Sequence, residues 1–462
     1  MWTKNCIILL AFLVACGAYE VPETVKALGW DLLDFQQLPT PADLTFGLSD
    51  DEFEDYLNFW LQKKTESSQK NTIFQEDIQS RIGPCKVNVI NLSIRQPVYV
   101  SNGILLAPSD NLGNIDFLNG QSVTMACPAS GNFLIGPEMN HKPQETILYC
   151  NGDNLFLHPD WVDPENFNSM YCASEAVSTE KEECPSTMGG TIITVGFEVA
   201  AKTHTIIRSC IDLTNAKVFY VEYDQSYNTK RAIADKPTIF KQGPLLPATL
   251  DLETLYRRDS QAKAFDKILG PGAADLYLGA NFLTRGHLAA AADFVFSPAQ
   301  VATYTYMNVA PQWNFFNGGN WGILEENLRA RIGELNAKTK IYTGTFGNLQ
   351  LNDDKGIKKN IYLSHPDSKI PVPLWFYKVV HNPAGSGTAT VFLGLNNPHV
   401  NSTEAAVEAK KICTTDQCST GFSWLKWQKT NTVMGYSICC TLVEFREIVT
   451  YLPSFTVGGL FT

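Results

Sequence analysis

TRGHLAAAADF at residues 284–294 is followed by NVAPQ at 308–312, NGGNW at 317–321 and LEENLR at 324–329. These segments bring one imidazole, His287, several oxygen donors and two guanidinium groups, Arg285 and Arg329, within 46 residues of chain. Hydrolysis of a phosphodiester calls for that combination. A base must activate water, a hard cation must take up charge, and arginines can clamp phosphate oxygens. Magnesium prefers oxygen ligands and keeps several waters, so one side-chain amide such as that of Asn317 can suffice as the direct protein ligand. Helix is favoured from Trp321 onward, which puts Glu325 and Arg329 on one helical face. Gly318 and Gly319 each disfavour helix by about 1 kcal/mol relative to alanine, so the helix is expected to begin only at Asn320. Spacing alone also admits a plainer reading, in which His287 is a structural histidine and Glu325 and Arg329 form an ordinary surface ion pair.

Outward from this stretch, long strands mix with separate helices. TIITVGFEV (191–199) and VFYVEY (218–223) precede it. IYTGTF (341–346), LWFYKVV (374–380) and TVFLGL (390–395) follow, with a closing helix expected over 441–451. Such a mixture specifies an α+β architecture rather than repeated βαβ units, and residues 190–462 read as one large domain. Residues 83–189 read as a small cysteine-rich β domain, with short runs such as KVNVINL (86–92) and VYV (98–100). His141 and His158 stand among Pro, Asn and Asp and read as loop histidines. Residues 19–82 form an acidic, partly helical segment in which Phe53, Tyr56, Leu57 and Trp60 have amphipathic spacing.

The amino end carries Lys4, an apolar run from Ile7 to Ala15, and then Cys16, Gly17 and Ala18, the layout of a cleavable secretory leader over residues 1–18. No later stretch approaches the roughly 18 to 20 uninterrupted apolar residues of a membrane helix, so no membrane partner is expected. Ten of the 12 cysteines lie beyond the leader, and in an oxidising compartment that even set reads as disulfides whose connectivity stays open. A zinc site built from Cys413, Cys418, Cys439 and Cys440 lacks the usual two-residue ligand spacing. Asn91-Leu92-Ser93 and Asn401-Ser402-Thr403 are glycosylation sequons, as suits a secreted chain. The net charge of -11 runs against phosphate binding until its distribution is considered. Residues 19–80 hold 13 Asp/Glu against 4 Lys/Arg, whereas residues 201–340 hold 16 Lys/Arg against 13 Asp/Glu.

The ordered segments resemble the signature of the DNA/RNA non-specific endonuclease family, the ββα-metal nucleases. There an Asp-Arg-Gly-His segment precedes Asn-x-x-Pro-Gln and then Asn-x-Gly-x-Trp-x-x-x-Glu-x-x-x-Arg. The resemblance spans Arg285 to Arg329 and extends to the segments around Tyr342 and Pro371–Lys378. With its added cysteine-rich amino region, the layout is similar to secreted arthropod members of gut and saliva, including insect double-stranded ribonucleases. The implied fold is a central antiparallel sheet flanked by helices, preceded by the disulfide-braced β domain. The implied activity is magnesium-dependent hydrolysis, with manganese as a substitute, of single- or double-stranded DNA and RNA gripped through their phosphates, leaving 5′-phosphate ends. No motif calls for an obligate protein partner.

Carried over position by position, the resemblance makes His287 the general base and Asn317 the direct metal ligand. Glu325 would hold a water of the cation's hydration shell, and Arg329 would steady transition-state charge. Arg285 would support the site, Asn308 would order the loop around the imidazole, and Arg231 would contact phosphate. The family's Asp before Arg-Gly-His is Thr284 here, and a carboxylate at that place could anchor Arg285 or tune the histidine. Two other readings are a catalytically silent nuclease-like binding module and a small-substrate phosphatase. The first sits poorly with His287, Asn317 and Glu325 all being present, and the second with the lack of a dense Asp/His cluster.

Overall fold

The computed structural model describes residues 83–93, 95–139, 141–185, 190–226, 239–419 and 421–462. The expected leader, the acidic segment 19–82 with its amphipathic helix, and Arg231 lie outside the described residues. Residues 81–462 form one compact unit.

Its frame is an eight-stranded antiparallel sheet. The strands are β1 (Thr179–Pro185), β2 (Thr191–Val199), β3 (Lys202–Asp212), β4 (Lys217–Gln225), β7 (Thr339–Asn348), β8 (Pro373–Asn382), β9 (Thr388–Leu395) and β10 (Ser437–Cys440), hydrogen-bonded in that order. The sheet reaches back past residue 190, since Thr179–Pro185 pairs with β2. Two strands are missing from the series because β5 (Leu283–His287) and β6 (Val309–Trp313) form a separate antiparallel hairpin. Successive strand residues face opposite sides, and both faces of this sheet are apolar. In β8, Phe376 and Val380 join the core beneath the hairpin, whereas Trp375, Tyr377 and Val379 join a second core on the other face.

The helices divide in the same way. Helix α1 (Leu252–Leu255) and α2 (Arg258–Leu269) precede β5, and α3 (Gly322–Leu335) buries Leu324, Leu328 and Ile332 in the first core. Helix α4 (Ser402–Lys410) and α5 (Leu442–Ile448) cover the second through Ala405, Ala409, Leu442 and Phe445. Helix α5 is the closing helix expected over 441–451; it runs for seven residues, starting after Thr441, which caps it by accepting from Glu444 N at 3.2 Å, and ending before Val449.

The amino-terminal part contains a six-stranded sheet that includes Val98–Ser101, Ser122–Ala126 and Glu145–Cys150. Among the described residues there are four disulfides: Cys85–Cys150 and Cys127–Cys172 brace this part, and Cys413–Cys440 and Cys418–Cys439 tie β10 to the segment after α4. The zinc reading of the last four cysteines falls, because their sulfurs are bonded to one another. His158 stands in a loop, as expected, but is buried there, with Nε2 2.6 Å from Thr146 Oγ1. Among the described residues no helix is long and apolar enough to cross a membrane.

Candidate active site

The hairpin sets the geometry. Register pairs Thr284 with Gln312, Gly286 with Ala310 and His287 with Val309. Alternation puts Arg285 and His287 on one side of β5 and Thr284 and Gly286 on the other. A Cβ on Gly286 would lie 2.3 Å from Gln312 Oε1, so this position has room only for glycine.

The His287 ring lies against Phe240 at 5.1 Å and edge-on to Tyr304 at 4.9 Å between centroids. Its Nε2 is buried and has no hydrogen-bond partner among the described residues. Burial pushes the imidazole down to about 4, against a smaller upward pull from Asp293, so the ring is neutral at physiological pH. The loop after it is clamped by Asn308, which is fully buried. Asn308 Nδ2 donates to Ala289 O and Thr303 O, each at 2.9 Å, and Oδ1 accepts from Ala289 N at 2.8 Å.

Asn317 is tied to the same hairpin. Its Nδ2 donates to Thr284 Oγ1 at 3.2 Å, and Thr284 passes the interaction on to Gln312 O at 3.0 Å. With the amide nitrogen engaged, Oδ1 receives no donor among the described residues and is the atom fit to ligate a hard cation. The helix does not begin at Asn320 as expected. Residues 317–321 form a wide helical turn, kinked at Gly319 (φ −95°, ψ −122°), and regular helix starts at Gly322. Gly319 is needed there because a Cβ would lie 3.0 Å from Met434 Cβ and 3.1 Å from Met434 O. Asn320 staples the kink, donating to Gln428 O at 2.9 Å and Gly435 O at 2.7 Å while accepting from Gln428 N at 2.8 Å. Wide turns of this kind often occur at functional positions.

Glu325 and Arg329 share the inner face of α3, but they are not a surface ion pair. Arg329 Nη1 binds Asp293 Oδ1 at 2.9 Å, and both side chains are largely enclosed. Asp293 Oδ2 accepts from Tyr223 OH at 2.6 Å. Tyr223 OH in turn accepts from Lys378 Nζ at 3.0 Å, and that ammonium also donates to Thr343 Oγ1 at 2.8 Å and Leu288 O at 3.4 Å. Lys378 is fully buried, with burial lowering its pKa and Asp293 and Glu325 opposing the shift. Glu325 is pushed up to about 7, by burial first, while Lys378 and Arg329 draw it down and Asp293 pushes it up.

Arg285 is committed elsewhere. Its Nη2 meets Glu253 Oε2 at 2.7 Å, its Nε donates to Tyr306 OH at 2.8 Å, and its guanidinium lies 5.2 Å from the Tyr256 ring centroid. The structure therefore places His287 on β5, has Asn308 clamp the loop after it, and ties Asn317, in the turn beyond β6, to Thr284 of β5. Arg329 is held by Asp293, with Glu325 one turn away on the same helix, and Arg285 sits in a flanking aromatic cage. The sequence reading missed Asp293, Lys378, Tyr223 and Glu253. Two of these carried a signal, an acid closing an apolar run in AAAADF and a lysine in the middle of LWFYKVV. Glu253 supplies from α1 the carboxylate that position 284 lacks. Glu253→Ala is expected to lower kcat/KM by roughly 10-fold to 100-fold, as for other supporting contacts around a reacting centre. Stability should change by under about 1 kcal/mol, since the pair is half exposed. Unchanged kcat/KM in steady-state assays would remove the positioning role.

Residues 188–445 match the profile of the DNA/RNA non-specific endonuclease family. A salivary endonuclease of Lutzomyia longipalpis is 31% identical over 364 residues, covering 76% of this chain and 79% of the relative. Salivary protein Tsal2A of Glossina morsitans morsitans is 23% identical over 386 residues, covering 80% and 92%. A chain of the crystal structure of the EndoG/EndoGI complex aligns with TM-score 0.30 and 20% identity over 42% of this chain and 74% of that one. The profile match takes in the hairpin, the kinked turn and the buried charges of α3 together, and the chain belongs to the DNA/RNA non-specific endonuclease family, as a nuclease.

Proposed function

We propose that this nuclease is a secreted, magnesium-dependent endonuclease that cuts DNA and RNA with little sequence preference and leaves 5′-phosphate ends. The observation that carries the reading is that β5 bears a neutral imidazole whose Nε2 has no partner among the described residues and, through Thr284, holds the Asn317 amide with its Oδ1 uncommitted. His287 takes a proton from the attacking water as the new P–O bond forms and the bond to the 3′ oxygen breaks, the 3′ oxygen gaining its proton from solvent. Asn317 would hold the cation, with Glu325 orienting water beside it. A bound divalent cation supplies charge compensation at the phosphate and at the departing oxygen. Arg329, fixed by Asp293, stabilises negative charge as it spreads over the phosphoryl oxygens, and Arg231 adds a phosphate contact. Nothing in this arrangement reads base edges, so binding should weaken steeply with salt.

The leader expected at 1–18, the four disulfides and the salivary relatives support secretion, with extracellular nucleic acid as the substrate. Plasmid DNA and double-stranded RNA should both be cut in magnesium and spared in EDTA. Asn317→Ala is expected to reduce the rate by at least about 100-fold, in line with the loss of one preorganised charge-stabilising group. Cleavage that persists in EDTA, or product ends bearing 5′-hydroxyl groups, would overturn the proposal.

A further inference from the structure

Among the described residues every tryptophan, every tyrosine and every other phenylalanine is buried or half-buried, but Phe315 is 41% exposed. A ring left in water forgoes the apolar burial that holds the others in place. Its position gives it a use. Phe315 lies in the helical turn Asn314–Phe316 that leaves β6, two residues before Asn317. Its neighbour Phe316 is buried, with its ring against Trp321 and Phe376. Gly318 is exposed three residues on from Phe315, a spacing that puts the two on one side of the turn. A Cβ on Gly318 would meet nothing within 4 Å among the described residues, so the ring borders open surface beside the amide assigned to the cation.

A cation continues this surface. Phe315 N donates to Asn281 Oδ1 at 3.0 Å and Asn314 N donates to Phe282 O at 2.8 Å, which fixes the turn against residues 281–282. On the ring of Phe282 lies the guanidinium of Arg258, 3.7 Å from its centroid. Arg258 is exposed at the start of α2 and makes no ion pair among the described residues. Asn317, Phe315 and Arg258 are therefore linked in that order, by neighbouring residues and two hydrogen bonds.

A guanidinium fits phosphate oxygens, and stacking on an aromatic ring holds its plane. Every base has a π-face, so one exposed ring can hold any of the bases, as suits a nuclease that does not read sequence. In a duplex those faces are covered by neighbouring bases, whereas an unpaired strand leaves them free.

We infer that Phe315 stacks on an unpaired base of the bound strand beside the scissile phosphate, and that Arg258 grips a phosphate farther along the same strand. This surface gives single strands an affinity that duplexes do not receive. The choice of a nucleic-acid strand as occupant rests on the nuclease reading.

Fluorescence anisotropy tests this, with the full-length protein in EDTA titrated into a labelled oligothymidylate single strand and into a labelled duplex of equal length. Phe315→Leu should weaken single-strand binding roughly 5-fold to 100-fold, the range for one lost base stack, and change duplex binding by less than about 2-fold. Phe315→Trp keeps a π-face and should bind single strands within about 2-fold of the parent protein. Arg258→Gln should weaken binding of both substrates and lower the slope of log affinity against log salt by about 1. Both positions are exposed, so these variants report on binding rather than on folding. Unchanged single-strand affinity in Phe315→Leu, equal losses on single strand and duplex, or a Trp variant as weak as the Leu variant overturns the stacking role. An unaltered salt slope in Arg258→Gln overturns the phosphate contact. Magnesium-dependent plasmid cleavage by the parent protein decides the nuclease reading separately, so the two can fail independently.

Discussion

His287→Ala is expected to lower kcat by about 10²-fold to 10⁴-fold, the range a positioned general base contributes, with little change in nucleic-acid affinity. The imidazole is neutral because burial between Phe240 and Tyr304 pushes it down to about 4 from its ordinary 6.5. Protonation abolishes the base, so the His287 contribution to activity is lost as pH falls through about 4 rather than through 6.5. Glu325 behaves differently: pushed up to about 7 by burial, it becomes protonated first as the medium is acidified. A pH–rate profile should therefore show an acid limb near 7 that disappears in Glu325→Gln, leaving residual activity flat until His287 titrates. The same depressed value works against folding in acid. Between about 6.5 and 4 the unfolded chain binds a proton that the folded chain does not, so stability falls as pH falls, by about 3 kcal/mol at the low end for this group. Near-normal cleavage by His287→Ala, or an acid limb that Glu325→Gln leaves in place, would sink these role assignments.

The parts of this site that were legible in the sequence are those whose geometry is local. Arg285-Gly286-His287 was legible only as a motif ordered with its downstream partners, whereas its strand and the close approach at Gly286 depend on pairing with residues 309–313. Glu325 and Arg329 are one helical turn apart, so their common face follows from period alone. Partners fixed by the sheet were not legible. Lys378 reaches Leu288 O across 90 residues of sequence, and only the register of β8 beside β7 shows which lysine the core encloses. Glu253 lies 32 residues before Arg285 in a four-residue helix, with no pattern linking them. Regular helix starts at Gly322 rather than Asn320 because Asn320, through three bonds to Gln428 and Gly435, holds the kinked turn in place, and no local propensity at Gly318 and Gly319 reveals those partners. Disulfide pairing was open for the same reason, since Cys413 and Cys440 meet only once β10 joins the sheet edge.

Asp293→Ala is expected to cost about 3 to 5 kcal/mol of folding stability, the penalty for breaking one side of a buried charge pair, and to remove most nuclease activity. Asp293 is 3% exposed and faces two enclosed cations, directly through Arg329 and by way of Tyr223 to Lys378. Without it both cations remain in a low-dielectric interior with only Glu325 to balance them. Glu325 should respond, because Asp293 is one of the groups holding it up near 7, and its pKa should fall in the variant. Asp293→Asn separates charge from shape, since an amide oxygen can still accept from Tyr223 or Arg329 but carries no charge. Adding Lys378→Met to Asp293→Asn should therefore recover part of the lost stability, because it removes the cation left in excess. Activity should not return, as Arg329 still lacks the anion that orients it. Urea unfolding followed by tryptophan fluorescence, run beside plasmid cleavage, reads both quantities. Strictly additive stability losses in the double variant would mean that Asp293 and Lys378 are not coupled. Recovery of cleavage together with stability would mean that Asp293 acts on the fold alone and that Arg329 needs no anchor to do its work.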